Sequence, residues 1–368
     1  MKLRFNREEM AETLTAICSV ASLRSPKEVL RCVRLDAKGD VMLLSATDLE
    51  LGIRSAVTQV EVEKPGETLV IADTLARIVR ECPDEILIAE TDESALNIRG
   101  VGSHFRIITQ AATEFPPVAV LEGDADFVVE QESLGRLIEW TVFAAAREST
   151  RYAINGVLWE LAHDTLTLAA TDGRRLSVGK IKTADSKTKK AQHAIVPPKA
   201  LSLFARLPAD GDGRVAVRMS GNQLLLKMGR STLSTTLIEG HFPKYQDVIP
   251  RDCDRVVQLS TQDFLGALRR AALLTNEESK GVRLAFTDGT LTLSSRAPEQ
   301  GEATIAIPVD YRGESIDIGF NPVFLTDALR VVHTEEVAFA FKDPNRPGVL
   351  KMSEEFLHVV MPVSLTSA

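Results

Sequence analysis

The sequence predicts an α+β protein built from three tandem copies of one domain, helices packed on antiparallel sheets. Two observations predict it: a pattern that returns about every 125 residues, and within each copy an order of strand, helix, short strands and second helix. Leu3-Arg4-Phe5, Phe127-Val128-Val129 and Val257-Gln258-Leu259 each open a strand-like alternation. Phe5, Met10 and Leu14 correspond to Val129, Leu134 and Ile138 at one offset, 124. The second set corresponds to Leu259, Phe264 and Leu268 at an offset of 130. The repeat returns at residues 41–48, 166–172 and 291–295. So long a period is a domain, and three like domains in tandem make an arc that invites closure by self-association.

First helices are expected at 7–14, 132–147 and 262–271, and second helices at 73–81, 199–206 and 320–333. Their apolar residues recur every three or four positions, as one buried face requires. Turn residues at 36–40, 162–164 and 288–289 separate strand pairs. Domain boundaries follow: 1–125, 126–253 and 254–368. The joints near 121–125 and 250–254 are short and polar, with Gly or Pro nearby, which favours a fixed arc. The charge-rich stretch 182–190 reads as a solvated connection.

At 368 residues, 44 % hydrophobic and 26 % charged, the chain has the composition of a soluble globular protein. No apolar run approaches the roughly 20 residues of a membrane span, and no apolar signal segment opens the chain. The cytoplasm is therefore the expected compartment. Cys18, Cys32, Cys82 and Cys253 have no paired spacing, which fits reduced thiols. A phosphate-binding Gly-rich loop, a Gly-x-Ser-x-Gly elbow and a His pair at ligand spacing are all missing. Thr171-Asp172-Gly173 reads as a turn, since Thr47-Asp48 stands at the equivalent place in the first copy. The residues thus suggest neither catalysis nor a cofactor. A net charge of −8 argues, by itself, against nucleic acid. The predicted helices sum to +1, leaving −9 elsewhere. Their late bases (Arg80, Arg147, Arg206, Arg269, Arg270, Arg330) and early acids suit the helix dipole without any ligand.

Longer motifs are more specific. Arg151-Tyr152-Ala153-Ile154-Asn155-Gly156-Val157-Leu158, Ala170-Thr171-Asp172-Gly173-Arg174-Arg175-Leu176 and Glu239-Gly240-His241-Phe242-Pro243-Lys244-Tyr245 resemble segments of the bacterial sliding clamps, the β subunits of DNA polymerase III. Residues 276–284, Ile318-Gly319-Phe320-Asn321 and Val359-Val360-Met361-Pro362-Val363 do so too, in the family's order. The likeness runs from about residue 1 to 365. It implies a non-enzymatic processivity factor: a head-to-tail homodimer closed into a ring, sheets outside and helices lining the hole. The ring would encircle duplex DNA without sequence specificity. An acidic exterior would repel DNA while inward bases meet the phosphates, and retention would be topological. The implied partners are the polymerase α subunit, the clamp loader, and other polymerases and repair proteins. Nucleoid association is implied, and no membrane or cofactor.

Carried over residue by residue, the resemblance implies DNA contacts at Arg24, Arg80, Arg136, Tyr152, Lys199 and Arg206. An aromatic such as Tyr152 can stack on an unpaired base. The family often has a second aromatic beside it, where this chain has Ala153. A pocket for partner peptides is implied at Ile154, Thr171, Gly173, Arg174, Arg175, Leu176, Pro243, Val248, Val359, Met361, Pro362, Val363 and Leu365. Met with branched aliphatics suits a groove that accepts related peptides. The dimer contact is implied at Phe105 and Ile107 against Leu273 and Leu274, with Glu299 and Glu302 facing bases near Arg106. The alternative is a tandem-domain scaffold for protein interactions that does not retain DNA.

Overall fold

A hairpin with a two-residue turn recurs at the equivalent place in all three repeats and shows how the repeat folds. Lys38 pairs with Val41, Ala162 with Thr165, and Thr287 with Thr290. Each turn needs a residue with positive φ, supplied by Gly39 (+56°), His163 (+54°) and Gly289 (+70°). A computed structural model describes residues 1–21, 25–148, 152–184, 191–207, 211–275, 281–297 and 300–364. Among them are the six expected α-helices: α1 (Arg7–Cys18), α2 (Ala72–Glu81), α3 (Gln131–Val142), α4 (Pro198–Phe204), α5 (Thr261–Ala271) and α6 (Pro322–Arg330). None is long and apolar enough to cross a membrane. Asn6 caps α1, its Oδ1 accepting from the amides of Glu8 and Glu9, both at 3.0 Å. Asn321 caps α6 in the same way, with Pro322 at the first helical position.

Helix α3 stops at Val142 rather than running to 147. Thr141 turns its hydroxyl back onto the Leu137 carbonyl at 2.9 Å, and the Ala144 amide donates to Thr141 in a tighter turn. Arg147 and Arg206 therefore lie past the ends of α3 and α4 and not in their last turns, where a helix dipole would favour them.

By contacts the chain falls into two compact units, with the second repeat divided between them. In the first unit, a five-stranded sheet holds Lys2–Asn6, Val60–Lys64, Ile86–Thr91, Ala95–Gly100 and Ser103–Ile108. An eight-stranded sheet continues from strands of the first repeat (Cys32–Lys38, Val41–Thr47, Leu51–Val57) into strands of the second, through Ser231–Thr236 beside Leu51–Val57. Glu9 is buried on α1, but its carboxylate accepts from the amides of Thr58 and Gln59 and pairs with Arg230. That satisfies a charge that burial would otherwise penalise.

The second unit repeats the device. Strand Arg175–Lys182 pairs with Phe356–Val360, joining the second repeat's strands to those of the third in another eight-stranded sheet. A four-stranded sheet of Val282–Thr287, Thr290–Ala297, Gly301–Pro308 and Ile316–Phe320 completes it. Its core is rich in aromatics: Phe286, Phe339 and Phe341 lie 4.7 to 6.2 Å apart by ring centroids, and Trp140 stacks on Phe356 at 5.1 Å. Among the described residues all strand pairs are antiparallel.

Candidate functional site

The pocket begins with a turn. Asp172 Oδ1 accepts from the amides of Arg174 (3.0 Å) and Arg175 (3.1 Å), while the Thr171 hydroxyl donates to the Arg175 carbonyl at 2.6 Å. Gly173 takes φ +86° within it. The first repeat folds alike, with Asp48 accepting from Glu50 and Leu51 and the left-handed position held by Leu49 (φ +82°). Thr171 and Asp172 are thus occupied as turn formers, as the repeat predicted.

Across the turn, register sets Val359 opposite Leu176, and the Met361 amide donates to the Arg174 carbonyl at 2.9 Å. The connector at 243–248 supplies Pro243, Tyr245 and Val248. Together with Tyr152, Ile154, Thr171, Gly173, Arg174, Arg175 and Lys244 these enclose a pocket of about 260 Å³. Its floor (Ile154, Leu176, Val359) is buried, whereas Met361 and Val248 on its rim are 43 % and 53 % exposed. An apolar concavity with adaptable edges takes up apolar side chains.

Two buried polar pairs hold the walls. Tyr245 donates its hydroxyl to Glu160 at 2.6 Å, and burial together with that carboxylate pushes the phenol's pKa up. Arg175 is 10 % exposed: Nε donates to Asp172 (3.1 Å), Nη1 to Asp327 on α6 (2.8 Å) and Nη2 to the Phe143 carbonyl (2.7 Å). Its guanidinium lies 4.7 Å from the Phe324 ring centroid. On its other side a second cavity, about 470 Å³, lies among Phe143, Arg147 and Phe324. Beneath, fully buried His358 shares a hydrogen bond with Ser177 at 2.7 Å; burial first, then the Arg175 charge, hold its pKa down at about 3.

Of the thirteen pocket residues, ten line this cavity. Pro362 and Val363 do not: the Val363 amide donates to the Gly319 carbonyl at 2.9 Å, carrying the chain past the pocket. Leu365 lies outside the described residues. Sequence reasoning left out Lys244 and Tyr245, although both stand in the motif that pointed to Pro243. Tyr152, an expected DNA contact, also borders this pocket with its 48 % exposed ring. Ala153 is buried, its amide donating to the His241 carbonyl at 3.2 Å.

Arg80 at the end of α2, Arg136 on α3 and Arg206 beyond α4 are exposed. Lys199, in the first turn of α4, pairs with Asp48. Arg24 and Glu299 lie outside the described residues. Phe105 is half-buried and Ile107 buried on strand Ser103–Ile108, with Arg106 exposed between them. Leu273 is 75 % exposed, Leu274 half-buried, and Glu302 exposed opposite Arg296. Among the described residues no group of three or more His, Cys, Asp or Glu could hold a metal ion.

Comparison with known proteins bears on the whole chain. Models of the N-terminal, central and C-terminal domains of the DNA polymerase III beta subunit match residues 1–119, 128–244 and 246–364. A beta sliding clamp of Pseudomonas putida is 34 % identical over 368 residues, covering 99 % of this chain and all of its own. That of Escherichia coli K12 is 30 % identical with the same coverage. The crystal structure of the Pseudomonas aeruginosa β subunit superposes with a TM-score of 0.91 at 33 % identity, covering 99 % of this chain and 100 % of that one. The Bacillus subtilis clamp gives 0.93 at 26 %, covering 99 % of each. With three tandem clamp domains matched in order and relatives aligned end to end, the chain belongs to the bacterial DNA polymerase III β-subunit family and serves as a β sliding clamp, a processivity factor without catalysis of its own.

Proposed function

We propose that this chain pairs head to tail with a second copy into a closed ring around duplex DNA. The pocket beside Arg175 takes short peptide segments of the replicative polymerase, the clamp loader, and other polymerases and repair proteins. The observation that carries this reading is the pocket: an apolar cavity of about 260 Å³ whose walls are fixed by Arg175 and Tyr245 and whose rim, Met361 and Val248, is exposed. Such a site suits a family of related apolar peptides better than one rigid ligand. Two free sheet edges support the closure. Strands Ser103–Ile108 and Gly301–Pro308 each stand at the end of their sheet, ready to pair with another chain. Phe105 and Ile107 belong to the first; Leu273 and Leu274 precede the second in the chain.

DNA is held topologically, with Arg24, Arg80, Arg136, Lys199 and Arg206 meeting phosphates without reading sequence, in the cytoplasm on the nucleoid. A loaded clamp is expected to persist on a nicked circle and to run off once the circle is cut, hydrolysing no ATP itself. Equal retention on linear and circular DNA would overturn the ring. The particle in solution is expected at about 80 kDa, twice the 40.2 kDa chain.

A further inference from the structure

Strand register in the first unit sets Arg34 opposite Ser45, and Ser45 opposite Arg54. Two guanidinium groups and a hydroxyl therefore stand in one row across three strands, on the face opposite buried Leu35, Leu44 and Ile53. With Asp36, Phe115 and Val118 they bound a cavity of about 170 Å³. Phe115 packs with buried Cys32 and Leu69, and Val118 against the same cluster, which holds this connector over the sheet. Gly52 gives it room: a Cβ there would stand 3.0 Å from Val118 Cγ1.

The polar atoms facing this cavity are unevenly used. Arg34 gives Nη2 to Glu67 at 2.5 Å, yet its Nε is buried without a partner. Asp36 Oδ2 accepts from Lys38 at 3.0 Å, yet its Oδ1 is buried and unpartnered. Arg54 has no side-chain partner among the described residues. Buried groups of this kind cost free energy unless something pairs with them.

The fold does not require the row. In the second repeat, at the offset of 124, the same positions are Leu158, Ala169 and Val178. The equivalent of Asp36 is Glu160, which receives the hydroxyl of Tyr245 from the connector at 2.6 Å. Phe115-Pro116-Pro117-Val118 stands where Phe242-Pro243-Lys244-Tyr245 stands in that repeat, and Val118 has no polar atom to answer Asp36.

We propose that this cavity binds inorganic phosphate, with Arg34, Ser45 and Arg54 donating to its oxygens and Asp36 Oδ1 accepting from its P–OH. Three bases (Arg34, Lys38, Arg54) against two acids (Asp36, Glu67) leave the site positive. The carboxylate selects among oxyanions, because it meets an unprotonated one charge to charge with no hydrogen between. Sulfate carries no proton at neutral pH, and a phosphate monoester, with a second pKa of about 6, has mostly lost its last one. Inorganic phosphate keeps at least one.

Titration calorimetry of the full chain in low-salt, phosphate-free buffer at pH 7.5 tests this with inorganic phosphate, sulfate and phosphoserine. One phosphate per chain is expected, with sulfate and phosphoserine each at least tenfold weaker. Arg54→Gln is expected to weaken phosphate at least tenfold, and Asp36→Asn to raise sulfate affinity towards that of phosphate. No saturable phosphate binding by the unmodified chain would overturn the proposal. So would sulfate or phosphoserine binding as well as phosphate, or Arg54→Gln binding unchanged while thermal melting shows the variant folded. The unmodified chain's selectivity needs no variant to fold.

Discussion

Arg175 donates to Asp327 across 2.8 Å, so one guanidinium ties the turn at one wall of the proposed peptide pocket to helix α6. Because the same side chain also meets Asp172 and the Phe143 carbonyl, the wall is positioned by a three-way fork in addition to its packing on Phe324. A fork of fixed geometry is what Lys cannot supply.

Arg175→Lys keeps the charge and loses two of the three bonds. The expected outcome is a folded protein that binds a partner peptide at least tenfold more weakly, about 1.4 kcal/mol. Arg175→Ala leaves Asp327 with only the Arg330 guanidinium, 3.6 Å away on the same helix, and is expected to cost about 2 kcal/mol of stability as well. Fluorescence anisotropy with a labelled peptide, run beside thermal melts, separates the two effects. Unaltered affinity in the Lys variant would show that the wall stands without the fork.

Much of this was legible in the sequence, for physical reasons that can be named. Phe5, Met10 and Leu14 recur because each repeat must bury the same strand and helix faces, and all three are buried. Asp48 and Asp172 recur because the same turn needs the same acceptor. The pocket's Pro243, Leu176 and Val359 came from a likeness carried in contiguous motifs. What stayed hidden depends on contacts between distant segments. Asp327 meets Arg175 from 152 residues away, and Glu160 meets Tyr245 from 85. Nor does periodicity reveal that Thr141 ends α3 five residues early, since its hydroxyl bond is invisible in an apolar pattern.

His358 should make stability depend on acidity. Its pKa is about 3 in the fold, below the usual histidine value of about 6.5 in the unfolded chain. The unfolded state therefore binds the proton first, so this contribution is complete above about pH 6.5 and is lost as pH falls towards 3. Through that window one proton gives up to about 1.4 kcal/mol per pH unit. Urea unfolding between pH 7.5 and 4.5 should show the slope, and His358→Gln should lose about one proton of it. An identical slope in the variant would assign the acid sensitivity to other groups.

Leu273 is 75 % exposed next to half-buried Leu274, an arrangement a monomer gains nothing from. Leu273→Ala with Leu274→Ala is expected to yield a folded monomer, since each unit keeps its own core and only an intermolecular contact is lost. Light scattering at micromolar concentration should read about 40 kDa. An undiminished dimer would remove both residues from the joint.

Lys199 is a proposed phosphate contact, yet Asp48 already holds it. The lysine side chain is 60 % exposed and the aspartate 16 %, so the pair is anchored from the acid's side. Asp48 is itself fixed, since its Oδ1 accepts from the amides of Glu50 (3.1 Å) and Leu51 (2.8 Å). Asp48→Asn keeps that acceptor and removes the charge, freeing Lys199 without unmaking the turn. An exposed pair of this kind is worth at most about 1 kcal/mol, so stability should hardly change. DNA binding should change: a lysine released from its acid adds about one counterion to those displaced from the duplex. The logarithmic salt slope of Asp48→Asn is expected to steepen by about one, with tighter retention at low salt. Lys199→Ala should do the reverse, and the double variant should match Lys199→Ala alone, because Asp48 acts only through the lysine. If Asp48→Asn steepened the slope in the absence of Lys199 as well, the acid would be repelling DNA directly and the pairing would be incidental.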